Sequence, residues 1–349
     1  MLDIKSCTPE ELAEYIESIG EKKFRAKQIY EWMHVHLARD YDEMTNIKKK
    51  LRETLKETTE YTSLEVKDMK ESAIDGTRKY LFALSDGNMI ESVMMRYRHG
   101  ISVCISSQVG CRMGCRFCAS TIDGVVRSLT PSEMLDQIYM ISRDTGERVS
   151  NVVVMGMGEP LDNYDNLVRF IRLLTDENGL NISERNVTVS TCGIVPKIYD
   201  LMEEDFNITL ALSLHAPTQE KREEIMPIAK SYDIDTVIRA MREYADNTKR
   251  RITYEYTLIS GFNDSEEDAE DLIKLLGRQL CHVNLIPVNP IVERNYSATS
   301  ETYVLNFKKK LEKNAINVTI RREMGRDIDG ACGQLRRKHT ESGAKEGLL

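Results

Sequence analysis

The sequence predicts an α/β fold built on a parallel sheet, and two features carry that prediction. From residue 101 onward, six apolar runs lie at 101–107, 151–156, 186–191, 208–215, 251–259 and 282–288. They alternate with amphipathic stretches such as PSEMLDQIYMISR, YDNLVRFIRLL, DTVIRAMREYA and SEEDAEDLIKLLGRQ. That alternation is expected of parallel strands joined by helical crossovers, arranged as a partial barrel or as a doubly wound sheet. The second feature is size: 349 residues, 41% hydrophobic and 30% charged, allow one big domain or a big domain with a small appendage. In either arrangement the ligand site lies at the carboxyl ends of the strands. Every chemically suggestive residue below falls at or just after such an end.

Ahead of the alternating region, residues 8–20 read as a helix. Thr8 is placed to be the N-cap, Pro9 takes the first helical position and Glu11 follows three residues after the cap. Leu12, Ile16 and Ile19 then share a face. KKFRAKQIYEWMH (22–34) is a second amphipathic stretch, with Phe24, Ile29, Tyr30 and Met33 apolar, and a third runs from Met44 to Leu55. These predict a small helical, helix-hairpin-helix-like domain over residues 1–60. Its Lys22, Lys23, Arg25, Lys27, Lys48, Lys49, Lys50 and Arg52 make either a surface for nucleic acid or an ordinary solvated face. Residues 61–96 change texture: TSLEVKDMK, TRKYLFALSDG and NMIESVMMRYR resemble strands joined by turns such as Asp86-Gly87-Asn88. The α/β core is then expected over 97–327, followed by a mobile loop and a frayed tail over 328–349.

Composition excludes several classes. No apolar run approaches the roughly 18 residues of a membrane span, and the first residues lack the pattern of a secretory signal. A cytoplasmic protein is expected, where eight cysteines point to metal ligation or catalysis rather than a disulfide framework. The net charge of −8 argues against a general basic coat for non-specific nucleic-acid binding but leaves room for a local basic surface.

The strongest local signal is Cys111-Arg-Met-Gly-Cys115-Arg-Phe-Cys118, a C-x3-C-x2-C loop after the first strand of the alternating region. Three closely spaced thiolates suit an iron–sulfur cluster, and Gly110 and Gly114 let the loop wrap tightly. The competing assignment is a structural zinc knuckle with Cys104 as fourth ligand. Zinc sites favour cysteine pairs separated by a longer stretch, and Cys104 sits inside a predicted strand. After the second strand, Gly156-Met157-Gly158-Glu159 makes a turn where backbone can approach a ligand. His215 alone would be read as a structural histidine, and Cys7 and Cys281 fall in no motif.

Taken together, CISSQVGCRMGCRFCAS (104–120), VVMGMGEPLDN (153–163), VTVSTCGIVP (187–196), ALSLHAP (211–217), NLIPVNP (284–290) and DIDGACGQL (327–335) resemble the RlmN/Cfr family of radical S-adenosylmethionine (SAM) rRNA adenine methyltransferases. MGMGEP with Pro160 and IPVNP with Pro287 resemble the RlmN branch more than the Cfr branch. Cys192 and Gly330 depart from the residues usual there, serine and alanine. The resemblance implies a partial (β/α)6 TIM-like radical SAM barrel with a small N-terminal helical domain and a β-rich linker. It implies one 4Fe–4S cluster on Cys111, Cys115 and Cys118, whose open iron chelates SAM. It assigns SAM contacts to Gly158, Glu159, Ser190, Ser213, Leu214, His215 and Asn289.

The resemblance also implies the reaction. Cys332 is methylated by one SAM, and a second SAM is cleaved to a radical that activates this S-methyl group, so two SAM are used per turnover. The activated carbon joins carbon 2 of an adenine, an electron-poor position that does not attack a sulfonium methyl group itself. Cys104 then resolves the covalent adduct through a transient disulfide with Cys332. Glu91 matches a proton acceptor, although on its own pattern it reads equally as an exposed strand-face glutamate. The implied substrates are an adenosine in the peptidyl-transferase region of 23S rRNA and an adenosine beside the anticodon of some tRNAs. A flavodoxin or ferredoxin is expected as electron donor, and a monomer with no membrane partner is expected. Arg321, Arg322, Arg326, Arg336, Arg337 and Lys338 surround the Cys332 segment and are placed to meet phosphates. The other readings are a Cfr-like carbon-8 methyltransferase with the same cysteines, and a non-catalytic zinc or RNA-binding module.

Overall fold

A computed structural model describes residues 1–277, 279–288 and 296–328. At the N-terminus β1 (Leu2–Asp3) pairs in parallel with β2 (Thr59–Glu60) and brackets α1 (Pro9–Ser18), α2 (Phe24–His34) and α3 (Lys49–Thr58). The cap of α1 forms as its sequence predicts: Glu11 N–H donates to Thr8 Oγ1, and Thr8 N–H donates to the Glu11 carboxylate. An antiparallel meander follows, made of β3 (Glu65–Glu71), β4 (Arg78–Ala83), β5 (Met89–Tyr97) and β6 (Gly100–Ile105). A short antiparallel pair, β7 (Gln108–Gly110) and β8 (Val125–Ser128), stands apart from the large sheet. The alternating region then runs α4 (Pro131–Thr145), β9 (Val149–Val154), α5 (Tyr164–Thr175), β10 (Val187–Thr191), α6 (Val195–Glu203), β11 (Thr209–Ser213), α7 (Gln219–Ile225) and α8 (Ile234–Thr248). It ends with β12 (Ile252–Leu258), α9 (Glu266–Leu276), β13 (Cys281–Pro287), α10 (Glu301–Lys313) and β14 (Asn317–Ile320).

Strand order decides between the two arrangements that the alternating pattern allowed. The ten-stranded sheet runs β14-β13-β12-β11-β10-β9-β6-β5-β4-β3, and β6 with β9 through β14 are all parallel. A doubly wound sheet reverses its strand order at a switch point. Here the order never reverses, so right-handed crossovers place the helices on one side. The sheet is the open, singly wound counterpart of a barrel, with β14 at one edge and the meander at the other. All six strands predicted from residue 101 onward are present. A seventh, β14, was not anticipated, because four residues at a sheet edge give too short a pattern to read.

The register divides the sheet into two chemically different faces. Val103, Val152, Val189, Leu210, Tyr254 and Val283 are buried on the helix side and belong to one continuous hydrophobic core. Cys104, Val153, Ser190, Ser213, Glu255 and Asn284 alternate with them and share the opposite, inner face. The N-terminal helices belong to the same core: Leu12, Ile29, Met33 and Leu51 are continuous with Ile138 and Tyr139 of α4. A buried ion pair fastens the junction, with Lys5 Nζ 2.9 Å from Asp136 Oδ1 and Leu64 N–H donating to Asp136 Oδ2 at 2.7 Å. Among the described residues no helix is long and apolar enough to cross a membrane.

Candidate active site

The cysteine triplet lies on a loop that leaves β7 and returns through β8, beyond the carboxyl end of β6. Gly110 is required there: its φ is +77°, and a Cβ would lie 2.0 Å from the carbonyl oxygen of Gly124, which accepts the Cys111 N–H at 2.9 Å. Thr121 Oγ1 donates to the carbonyls of Cys115 (3.1 Å) and Cys118 (3.0 Å). Arg116 N–H donates to Ile225 O at 2.9 Å and so ties the loop to the end of α7. Cys111 and Cys115 are buried and Cys118 is partly buried. Burial pushes the Cys111 thiol up to about 12 and the Cys115 thiol well up, so thiolates here need a metal group to compensate them.

The geometry separates the two metal assignments. A tetrahedral zinc site, with Zn–S near 2.3 Å, holds its sulfurs about 3.8 Å apart. Among the described residues no three His, Cys, Asp or Glu side chains converge on one ion. Cys115 packs with Cys192, Ile225 and Met226, whereas Cys104 packs in a different group with Val93 and Met95. A zinc knuckle completed by Cys104 is therefore not formed. Three neighbouring thiols on one loop that do not close on a single ion fit an iron–sulfur cluster, in which each thiolate ligates a different iron.

The turn after β9 is braced against the strand feeding the cluster loop. Gly156 N–H donates to Ile105 O (2.9 Å), and Met157 O accepts from Ser107 N–H (2.8 Å) and Gln108 N–H (3.1 Å). Gly158 has φ +108°, and a Cβ there would meet Gln108 N at 2.7 Å. The Glu159 carboxylate is occupied inside the protein: Oε1 accepts from Leu161 N–H (3.0 Å) and Oε2 from Cys192 N–H (2.8 Å). The Thr191 and Cys192 side chains lie close enough to favour its charged form. Two backbone N–H groups thus brace the carboxylate across the turn, and the peptide groups of the turn stand beside it for a ligand. Burial raises the Glu159 pKa while those hydrogen bonds oppose the rise.

The next strand ends carry the remaining described residues that the sequence predicts as SAM contacts. Ser190 Oγ on β10 lies 3.3 Å from Ser213 Oγ on β11. Leu214 turns its side chain into the hydrophobic core and can offer only backbone. His215 is buried with φ +56°, a left-handed conformation that costs on the order of 1–3 kcal/mol in a non-glycine residue. Its surroundings hold it there: its carbonyl accepts from Asn263 Nδ2 at 2.7 Å, and its ring meets Phe117 of the cluster loop edge-on at 4.7 Å. Nδ1 accepts the Thr257 N–H at 3.0 Å, which leaves the proton on Nε2. Burial, helped by the positive charge of Arg222, pushes its pKa down to about 3, so the ring is a fixed neutral donor. Asn289 lies outside the described residues.

Cys104 and Glu91 lie on the inner face of the sheet. Cys104 is registered with Val93 across β5 and β6, beside Met95, Val153 and Met155. Glu91 is two residues along β5 from Val93 and is 1% exposed; it is not the exposed strand-face residue that its pattern allowed. Its carboxylate pairs with Lys79 Nζ at 3.0 Å, and Lys79 is fully buried. Cys332 lies outside the described residues, and no disulfide joins any two described cysteines. Cys7 and Cys281 are buried away from the site motifs.

Arg222 and Lys79 are two buried charges near the site that sequence reasoning missed. Arg222 sits in TQEKREEI, which reads as a solvated helix face, and Lys79 is one basic residue in a strand of mixed character. Only the packing of α7 under the cluster loop, and of β4 beside β5, gives either residue a place at the site.

Comparison with known proteins agrees with this geometry. The radical SAM superfamily profile matches residues 105–276, and the ribosomal RNA large subunit methyltransferase N-terminal domain profile matches residues 2–61. A Lachnospira eligens protein named probable dual-specificity RNA methyltransferase RlmN is 63% identical over 98% of this chain and 97% of its own length. A protein of the same name from Lachnoclostridium phytofermentans is 60% identical over 97% of this chain and 96% of its own. The crystal structure of a radical SAM methyltransferase from Sphaerobacter thermophilus superposes with a TM-score of 0.92 at 41% identity, covering 96% of this chain and 99% of that one. With these relatives, and with a cysteine loop, a glycine turn and strand ends converging on one site, the chain belongs to the RlmN family of radical SAM methyltransferases.

Proposed function

We propose that this chain methylates carbon 2 of an adenosine in the peptidyl-transferase region of 23S rRNA, and the adenosine beside the anticodon of some tRNAs. The observation that carries the reading is the position of Cys104: a buried thiol on the inner face of the sheet, on the strand that leads into the cluster loop. When bound, the cluster and SAM supply one-electron cleavage of a carbon–sulfur bond and a methyl group. The protein's own part is to hold Cys332 as methyl carrier and to bring Cys104 to its sulfur, so that thiol–disulfide chemistry releases the product. Two SAM are consumed per turnover in this scheme, and a flavodoxin or ferredoxin supplies electrons to a cytoplasmic monomer. Gly158, Glu159, Ser190, Ser213, Leu214, His215 and Asn289 position SAM in this reading, Leu214 through its backbone and Glu159 through the turn that it braces. Glu91, paired with Lys79, accepts the proton lost from the adenine ring. Lys22, Lys23, Lys27, Lys48, Lys49 and Lys50 are exposed on the N-terminal helices, as are Arg321, Arg322 and Arg326 after β14; they supply the RNA phosphate contacts.

Mass spectrometry of digested rRNA and tRNA from a deletion strain, with and without the complementing gene, tests the reading. Loss and return of 2-methyladenosine in both RNAs is expected; 8-methyladenosine instead would assign the carbon-8 reaction. In purified reactions Cys104→Ala should accumulate a covalent protein–RNA adduct while Cys332→Ala forms none. Adduct-free inactivity in both variants would overturn the two cysteine roles.

A further inference from the structure

Arg222 is fully buried, and none of its guanidinium nitrogens bonds to a carboxylate among the described residues. Nη2 donates to Cys192 O at 2.7 Å and reaches Ser213 O at 3.5 Å, so the side chain is fastened between the ends of β10 and β11. Nε and Nη1 are buried with no hydrogen-bond partner. An unpaired buried cation costs several kcal/mol, and native proteins rarely leave such donors unsatisfied. The neighbours identify the missing anion. Arg222 lies on α7, whose last residue, Ile225, accepts the Arg116 N–H of the cluster loop. Ile225 also packs against Cys115 and Cys192. Burial opposes its charge, while the Cys192 and Cys115 thiols lie close enough that both would attract it once ionised, and His215 feels the same charge. Three cysteine thiolates on an oxidised 4Fe–4S core carry one net negative charge, and a second after one-electron reduction. Net charge and hydrogen bonds near the sulfurs set the reduction potential of such clusters.

We propose that Arg222 is a positioning residue for the cluster, a buried counter-charge on the Cys115 side whose free donors favour the reduced state. The inference rests on the assignment of Cys111, Cys115 and Cys118 as cluster ligands. In the transfer one electron moves from an external low-potential donor to the cluster, no proton is taken up, and the guanidinium offsets the added charge.

The test uses anaerobically reconstituted full-length protein: wild type, Arg222→Met and Arg222→Lys. Iron and sulfide content come first, because a wild type without iron defeats the cluster assignment itself rather than the role of Arg222. Redox titration followed by electron paramagnetic resonance, without SAM, is then expected to show at least a tenfold lower reduced-to-oxidised ratio for Arg222→Met at fixed potential. For a one-electron couple that is a downward shift of about 59 mV. Arg222→Lys keeps the charge and should stay within threefold of wild type. Unloaded Arg222→Met should melt no lower than unloaded wild type, because it removes an uncompensated charge. A lower melting temperature would make Arg222 a structural brace and overturn the proposal. An unchanged potential in iron-loaded Arg222→Met would overturn it too, as would equal shifts in both variants. A shift that appears only after SAM is added would assign the guanidinium to the SAM carboxylate instead of the cluster.

Discussion

The two faces of the large sheet are built from alternate residues of the same strands, yet they answer to different demands. The helix-side face carries Val103, Val152, Val189, Leu210, Tyr254 and Val283 into a continuous core; the inner face carries Cys104, Ser190, Ser213, Glu255 and Asn284. Glu255 is buried, burial raises its pKa, and it is held by Asn284 Nδ2 at 2.9 Å. The strands therefore read as near-continuous apolar runs only where the inner residue is also apolar, as in NVVVMG. One face gives the domain its stability, and the other gives up apolar burial to present thiol, hydroxyl and carboxyl groups where the strands end.

That contrast can be broken or sharpened by experiment. Leu210→Ala on the helix side should cost about 2–5 kcal/mol, read as a lower denaturant midpoint with an unchanged slope, while the folded fraction keeps its affinity for SAM. A loss below 1 kcal/mol would mean that the core is not continuous across β11. Acid is expected to weaken the structure through two buried histidines, one on each side of the contrast. His34 at the end of α2, against Tyr139 of α4, and His215 on the inner side are both pushed down to about 3 by burial. The unfolded chain takes up their protons near pH 6.5 while the folded chain does not. Their stabilisation is therefore complete above pH 6.5 and is lost as pH falls toward 3, by about 2 kcal/mol per histidine at pH 5. Denaturation curves at pH 7.5 and pH 5 check this, and His34→Gln should remove roughly half of the difference. The smallest effect belongs to the inner face. Ser213→Ala should change stability by less than about 0.5 kcal/mol, while weakening SAM by the worth of one hydrogen bond, about 0.5–1.5 kcal/mol, in calorimetric titration. Unchanged affinity would remove Ser213 from the binding residues.

The N-terminal region sharpens the same point from a different side. Lys5 and Asp136 form a fully buried pair at a packing junction, and burial lowers the Lys5 pKa against the pull of Asp136. Lys79 and Glu91 form an equally buried pair on the inner face. Sequence inspection treats all four alike, as charges; location alone separates a tie between segments from a pair on the sheet face that carries Cys104.

Local chemistry determined much of this protein from its sequence. The α1 cap is written in Thr8, Pro9 and Glu11, and the six predicted parallel strands are written in β-branched runs, because a strand buried on its helix side must be apolar at every second residue. The cysteine loop is equally legible, since three thiols at that spacing have few uses. Whether the strands were singly or doubly wound was not legible, because strand order depends on which edges pair across long separations. Nor was the spending of the Glu159 carboxylate on Leu161 and Cys192, the inward turn of Leu214, or the burial of Glu91 against Lys79. Tertiary structure also decided the place of Arg222, a residue that looks solvated in its own helix. A side chain's neighbours through space set its desolvation and its partners, and those fix whether a charge is surface, brace or part of a site.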